Sequence, residues 1–438
     1  MQFNCCGSRE GGKTPFAGRG DRYYSVAEPL LDIESSSVLS QESPVTTVTF
    51  FKGSSAETAA SVIKDRVRTL VKVNPWLVGR IVHNEDHKNL QLIHPAGDAE
   101  LVDDVMVDLV RLDPLDLKID STMPYTELVE AILGSSANLP KLDMPTFSSD
   151  FESNLLVTRI TLASDPNSTS AFALIVSMSH VIADGCTYYQ ILNMLSSQTN
   201  ITPLSATRKH EATAKIIEAC GEAEYNFMLG SGLMGNAIGG LVLGKKAKVF
   251  CHYVDETRMN AAKVEAKEQC KEQGIAFVSS NDVLVSALAN VTGVRLWMMA
   301  MNFRGRVEGI DSSLAGNYES CIWIDEGVYS SPATVRKILQ GGPPFKGHVV
   351  PLPSTWECIT SAKLGNCSNW ASFSNDDMVI GEATQHLHLP LIPADAIPFE
   401  SACFFRPGKG KLAVMILSKR FEREAFIEGV PLGEDLFA

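Results

Sequence analysis

Apolar positions along this chain recur with the two periods of regular secondary structure, and their alternation predicts a mixed α/β protein. Val45, Thr46, Thr47 and Val48 open a β-branched run to residue 51 that reads as the first strand. Ile63, Val67, Leu70 and Val71 then fall at i, i+4, i+7 and i+8, the apolar stripe of a helix, and Asn74-Pro75 stops it. Residues 76–82 read as a strand after a turn. Residues 155–162 and 171–179 read as neighbouring strands joined by the polar turn 164–168, and residues 188–195 as a helix. The pattern restarts with a strand at 249–254 and a helix over about 257–273. Ser279 caps a further helix that carries Val283, Leu284, Ala287 and Leu288. Strands follow at 296–301 and 321–324, separated by the turn residues Ala315 to Tyr318, and the chain closes with a strand at 412–417 and a short helix.

This periodicity divides the chain into a flexible lead-in (1–43), a first domain (44–196), a crossover segment (197–250) and a second domain (251–438). Order is expected to begin at Val45. Within the crossover, residues 228–244 are apolar yet hold six glycines. A membrane-spanning helix is normally longer and poorer in glycine. Two readings stand for this stretch: a linker between domains, or a surface loop dipping into lipid with Lys245, Lys246 and Lys248 on anionic headgroups. The run Gly239 to Lys245 nearly spells a phosphate-binding loop. Lys246 stands where that loop needs a Ser or Thr to ligate magnesium, which removes the nucleotide reading.

Composition narrows the class. The 438 residues are 45% hydrophobic and 20% charged, a soluble globular balance. A net charge of −13 argues against nucleic acid as partner and leaves room for local basic patches. The ten cysteines are scattered without a C-x-x-C pair, so reduced thiols and a cytoplasmic monomer without bound metal are the expectation. Cys5-Cys6 reads as free thiols in a tail or as a palmitoylation site.

The candidate chemistry lies where the apolar run 171–176 gives way to Ser177-Met178-Ser179-His180-Val181-Ile182-Ala183-Asp184-Gly185. His180 and Asp184 fall on a strand-to-helix connection, a place where functional groups sit on a rigid scaffold. A histidine side chain ionises near 6.5 in water, so its neutral form is plentiful at neutral pH. It can take a proton from an attacking hydroxyl and return it to a leaving group, help worth about 10²- to 10⁴-fold. A serine triad would need a G-x-S-x-G elbow, which is absent. His386 and His388, on one face of a strand, lack a third metal ligand. A core histidine satisfied by its neighbours stays open as the plain alternative. Asp184 either orients the imidazole or turns away to a buried arginine. Gly185 is expected to supply a turn torsion that other residues adopt poorly.

His180 to Gly185 resembles the H-x-x-x-D-G signature of the chloramphenicol-acetyltransferase-like superfamily, most closely its plant-type BAHD acyltransferases. The surroundings follow that family's order from about residue 45 to 428. Pro75-Trp76-Leu77-Val78-Gly79-Arg80-Ile81 resembles its P-x-x-x-G-R-[LI] segment, and Asn302-Phe303-Arg304-Gly305-Arg306 its N-x-R-x-R strand. Gly316-Asn317 resembles its G-N turn, Ser368-Asn369-Trp370 its [ST]-x-W element, and Gly410 to Val414 its late glycine-led strand. The family's D-F-G-W-G motif is absent; Asp377 to Glu382 stands there with only Gly381 in common.

The resemblance implies two chloramphenicol-acetyltransferase-like domains with an active-site channel between them. It implies an acyl-CoA-dependent acyltransferase acting on a hydroxyl or, less readily, an amine of a small acceptor, lipophilic if the 228–248 segment touches membrane. His180 would be the general base. Ser368 and Trp370 would donate hydrogen bonds to the oxyanion. Asp184, paired with Arg304, would be structural with Gly185 and Asn317. Acyl-CoA would be a co-substrate, with no bound cofactor. Two other functions stay open: a carrier-protein-dependent condensation enzyme, against which Ser179 stands where those enzymes carry a second histidine, and a ligand-binding member of the fold without turnover.

Overall fold

Among the residues that the computed structural model describes (23–36, 43–83, 89–97, 103–114, 116–141, 151–152, 155–375 and 377–437), the strands form three sheets. Cys5 and Cys6 lie outside the described residues. A six-stranded sheet has the order Val379–Ile380, Ala383–Pro390, Val45–Lys52, Ala171–Met178, Thr158–Ser164, Val110–Leu112. A seven-stranded sheet runs Glu319–Ile324, Leu296–Asn302, Leu364–Asn369, Glu400–Phe405, Ala413–Ser418, Lys248–Val254, Leu432–Asp435. A four-stranded sheet joins Val26–Pro29, Gln91–His94, Arg80–His83 and Phe151–Glu152.

Every residue of Ala171–Met178 is buried, which is why the stretch reads as a continuous apolar run up to Val176 rather than an alternating one. Helix Ala56–Val73 covers one face of its sheet with Ile63, Val67, Leu70 and Val71. The other face, through Phe50, Ala173, Ile175 and Leu389, shares an apolar cluster with Cys251, Phe405, Met415 and Leu417 of the seven-stranded sheet. The two large sheets thus pack through one common core. The far face of the seven-stranded sheet is covered by helix Ser280–Thr292, whose start is a capping box between Ser279 and Asp282.

Four expectations change. The lead-in 1–43 is built into the fold over part of its length: Val26–Pro29 pairs with Gln91–His94, and Glu34 is fully buried. Residues 76–82 are not one strand, because Pro75–Val78 forms a 3₁₀ turn before strand Arg80–His83; the Asn74 side chain holds the turn by bonding Thr202 O (3.1 Å) and Leu204 N (2.7 Å). The glycine-rich stretch is not a loop, since Ser231–Val242 is an α-helix. Sheet membership also crosses the boundary drawn at residue 250. Strand Ala383–Pro390 pairs antiparallel with Val45–Lys52, from Thr384 opposite Lys52 to Pro390 opposite Thr47.

Candidate active site

His180 stands two residues beyond strand Ala171–Met178, in a turn closed by Ile182 N bonding Ser179 O at 3.2 Å. The chain then enters helix Gly185–Met194, capped by Asp184, whose Oδ1 accepts from Thr187 N at 2.8 Å. The other oxygen of this fully buried carboxylate accepts from Arg304 Nη1 at 2.6 Å and from Tyr318 N at 3.1 Å. Asp184 therefore turns away from the imidazole and ties the His180 turn to the second half of the chain.

Arg304 uses its whole guanidinium. Nη1 also donates to Asn302 Oδ1 (3.1 Å), Nη2 to Thr187 Oγ1 (2.9 Å) and Gly316 O (2.9 Å), and Nε to Leu314 O (3.0 Å). Five satisfied donors and a buried counter-charge are what a buried arginine needs to be tolerated. The turn itself is held by its carbonyls. Asn317 Nδ2 donates to His180 O (2.9 Å) and Val181 O (3.2 Å), and Arg208 Nη2 donates to Ile182 O (3.0 Å). Arg208 in turn pairs with Glu34 (2.9 Å), which also accepts from Asn317 N (2.9 Å). Two buried ion pairs, Asp184–Arg304 and Glu34–Arg208, thus frame one histidine. Sequence reasoning missed the second pair, whose members lie 174 positions apart without a motif.

The ring is not sealed in. Its side chain is 22% exposed, and Nε2 faces Glu319 Oε1 at 4.0 Å. Nδ1 is enclosed and has no hydrogen-bond partner among the described residues, so Nε2 is the nitrogen a ligand can reach. Glu319 opens strand Glu319–Ile324 and is itself 30% exposed; it was not among the residues singled out from sequence. Burial, and then the nearby Asp184 carboxylate, push its carboxyl up to about 7, against the pull of His180 and Arg304. Cys186, one turn further on, is no competing nucleophile, because burial pushes its thiol up to about 11.

Ser368 and Trp370 approach from the parallel strand Leu364–Asn369, which pairs with Leu296–Asn302 from Leu296 opposite Leu364 onward. That pairing runs as far as Met299 opposite Cys367, and on the other flank of the same strand Glu319 lies opposite Asn302. The Trp370 indole lies near Gly185 and edge-on to Tyr189, with ring centroids 5.8 Å apart. Its N–H donates to Ser368 Oγ at 2.8 Å. The indole donor is thus committed, and the Ser368 hydroxyl hydrogen is the one left to point elsewhere. Gly185 departs from expectation: it is the first residue of the helix and is not left-handed, and a Cβ there would sit 3.6 Å from Trp370 Nε1, an ordinary contact.

The pair His386 and His388 does not share a face. A bulge between Gln385 and Leu387 turns His386 outward to Lys52 Nζ (3.1 Å). His388 is buried between Thr49 Oγ1 (2.8 Å) and Tyr189 OH (2.9 Å), where burial pushes it down to about 3 and keeps it neutral. Among the described residues no three His, Cys, Asp or Glu side chains converge as a metal site would require.

No known protein family and no curated protein matches the sequence. Solved structures do. TRI101 of F. graminearum, crystallised with coenzyme A and deoxynivalenol, is 13% identical with a TM-score of 0.56, over 92% of this chain and 97% of that one. Vinorine synthase is 11% identical with a TM-score of 0.55, over 94% and 99%. The first condensation domain of the calcium-dependent antibiotic synthetase is 11% identical with a TM-score of 0.57, over 92% and 94%. The match runs through nearly the whole length of each, so the chain has the two-domain chloramphenicol-acetyltransferase-like fold that these proteins share.

Proposed function

We propose that this chain transfers an acyl group from an acyl-CoA thioester to the hydroxyl of a small acceptor, with His180 as general base. The observation that carries the reading is the presentation of His180. Two buried ion pairs and Asn317 spend themselves on holding one short turn, and what that turn offers to solvent is Nε2. A core histidine would need no such frame. The fold's likeness to TRI101 structures holding coenzyme A supports a thioester as the acyl donor.

Nε2 takes the acceptor's proton as its oxygen attacks the thioester carbonyl. The carbonyl electron pair moves to oxygen, and the Ser368 hydroxyl, polarised by the Trp370 N–H it accepts, donates to that oxyanion. The intermediate collapses, the carbon–sulfur bond breaks, and imidazolium returns its proton to the departing thiolate. Ester and free CoA thiol result, and the base is restored. In between, the imidazolium lies beside Glu319, whose ionised form offsets the new charge. Asp184 and Arg304 hold the turn and take no proton.

Thiol release from a panel of acyl-CoAs and alcohols, read with a thiol-reactive dye, tests this. His180→Ala should lose about 10²- to 10⁴-fold of turnover with an unchanged melting temperature. Retained turnover would remove the base from His180. Activity that requires a carrier-protein thioester and ignores CoA would instead identify a condensation enzyme.

A further inference from the structure

Helix Ser231–Val242 contains no charged residue, yet it lies on the surface. Its inner side is accounted for: Leu233 joins a small core with Trp323, Cys358, Leu364 and Phe399. Gly232 and Gly235 let helix Thr355–Thr360 approach closely, since a Cβ on them would meet Thr355 Cα at 3.1 Å and Ile359 at 2.8 Å. Asn236 Nδ2 fastens the pair by donating to Cys358 O and to Ala362 O (2.9 Å). The outer side has no such account. Ile238, Leu241, Val242 and Leu243 face solvent, with Leu243 87% exposed, and the partner helix adds Ile359 and a Trp356 that is 74% exposed. A helix apolar on both sides is normally buried, and large apolar side chains left exposed on two packed segments mark a contact surface.

Charge says what the surface contacts. The protein carries −13 overall, but the chain leaving this helix is basic. At the helix end an open pocket of about 500 Å³ is lined by Lys245, Lys363, Lys419 and Arg420, with Glu400 and Phe399. Glu400 answers Arg420 at 3.1 Å, and Lys419 donates to Gly240 O at 2.7 Å. Lys245 and Lys363, both exposed, make no ion pair among the described residues. Further along, Lys246 is 3.8 Å from Glu130 and Lys248 pairs with Glu422, so those charges are already answered.

We infer that this face docks on an anionic lipid bilayer. Leu243, Val242 and Trp356 enter the headgroup boundary, and Lys245 and Lys363 meet lipid phosphates. Apolar side chains rimmed by unpaired cations fit such a surface. A second copy of this chain packed about a twofold axis would set the same patch against itself, lysine against lysine, and no helix among the described residues is long and apolar enough to cross a membrane. The inference is independent of the acyltransferase reading, since binding is measured without turnover.

The full chain, floated with vesicles of phosphatidylcholine alone or with about one-third phosphatidylserine, tests it. Binding is expected to the anionic vesicles, to weaken as salt rises, and to fall roughly fivefold for each of Lys245→Ala and Lys363→Ala. Leu243→Ser with Trp356→Ser should abolish it while leaving melting temperature and thiol release unchanged, because neither residue touches the His180 site. Equal recovery with both vesicle types would overturn the inference. So would a concentration-dependent dimer in sedimentation velocity that Leu243→Ser disperses.

Discussion

Replacing Glu319 by glutamine is expected to make the protein more stable and slower. Burial and Asp184 carry this carboxyl from an ordinary 4.5 to about 7. At about 1.4 kcal/mol per pH unit the ionised form costs about 3 kcal/mol, which solvent around the 30% exposed side chain trims to about 2 kcal/mol. The folded chain binds this proton more tightly than the unfolded chain. The stability tied to the neutral carboxyl is therefore whole below 4.5 and is lost as pH rises through about 7. Glu319→Gln never ionises. It should match the wild type at about pH 4.5 and exceed it by about 2 kcal/mol at about pH 8. Urea unfolding midpoints at the two pH values measure this. Turnover should move the other way. Opposite charges 4.0 Å apart attract by about 1 kcal/mol in water and about 4 kcal/mol in a protein-like medium, so losing the carboxylate beside the imidazolium should slow thiol release at least about fivefold. A stability difference independent of pH, or a variant less stable at the higher pH, would refute the burial argument. Wild-type turnover would refute the pairing with His180.

Asp184→Asn places an amide against the Arg304 guanidinium and leaves a buried charge unanswered; a loss of about 3–5 kcal/mol is expected in urea unfolding, with turnover lost alongside. Ser368→Ala should lower kcat about 10²- to 10³-fold with little change in KM. Trp370→Phe keeps the packing on Tyr189 and removes only the N–H to Ser368, so it should cost less than the serine change; a larger loss would mean that the indole meets the substrate itself. Gly185→Ala should be neutral or stabilising by up to about 1 kcal/mol in thermal unfolding, because the site is helical with room for a methyl group. A loss above about 2 kcal/mol would contradict that backbone assignment.

The parts of the site that were legible in the sequence are those specified locally. An apolar run that stops, a histidine, and an aspartate four residues on point to strand, connection and helix within about fifteen residues, and the cap at Ser279 is read within four. Arg304 and Asn317 could be attached to that turn only through resemblance, since they lie 120 and 137 positions from the residues they bond. Glu34, Arg208 and Glu319 had neither a local pattern nor a family motif. Gly185 was misread because a glycine after an aspartate suggests a turn, whereas here the aspartate is already the cap and the glycine the first helical residue. His386 and His388 were misread because strand alternation was assumed to run without interruption, and a bulge falls on His386.

The loan of strand Ala383–Pro390 to the first sheet also bears on biosynthesis. Until some 390 residues have left the ribosome, Val45–Lys52 has a neighbour on one flank only, and its mostly apolar and threonine-rich edge stands open. The amino-terminal half cannot close its own sheet, so a fragment ending near residue 250 would expose a sticky border and is expected to aggregate when made alone. Supplying residues 251–437 in trans, on a co-expressed second fragment, restores the missing strand.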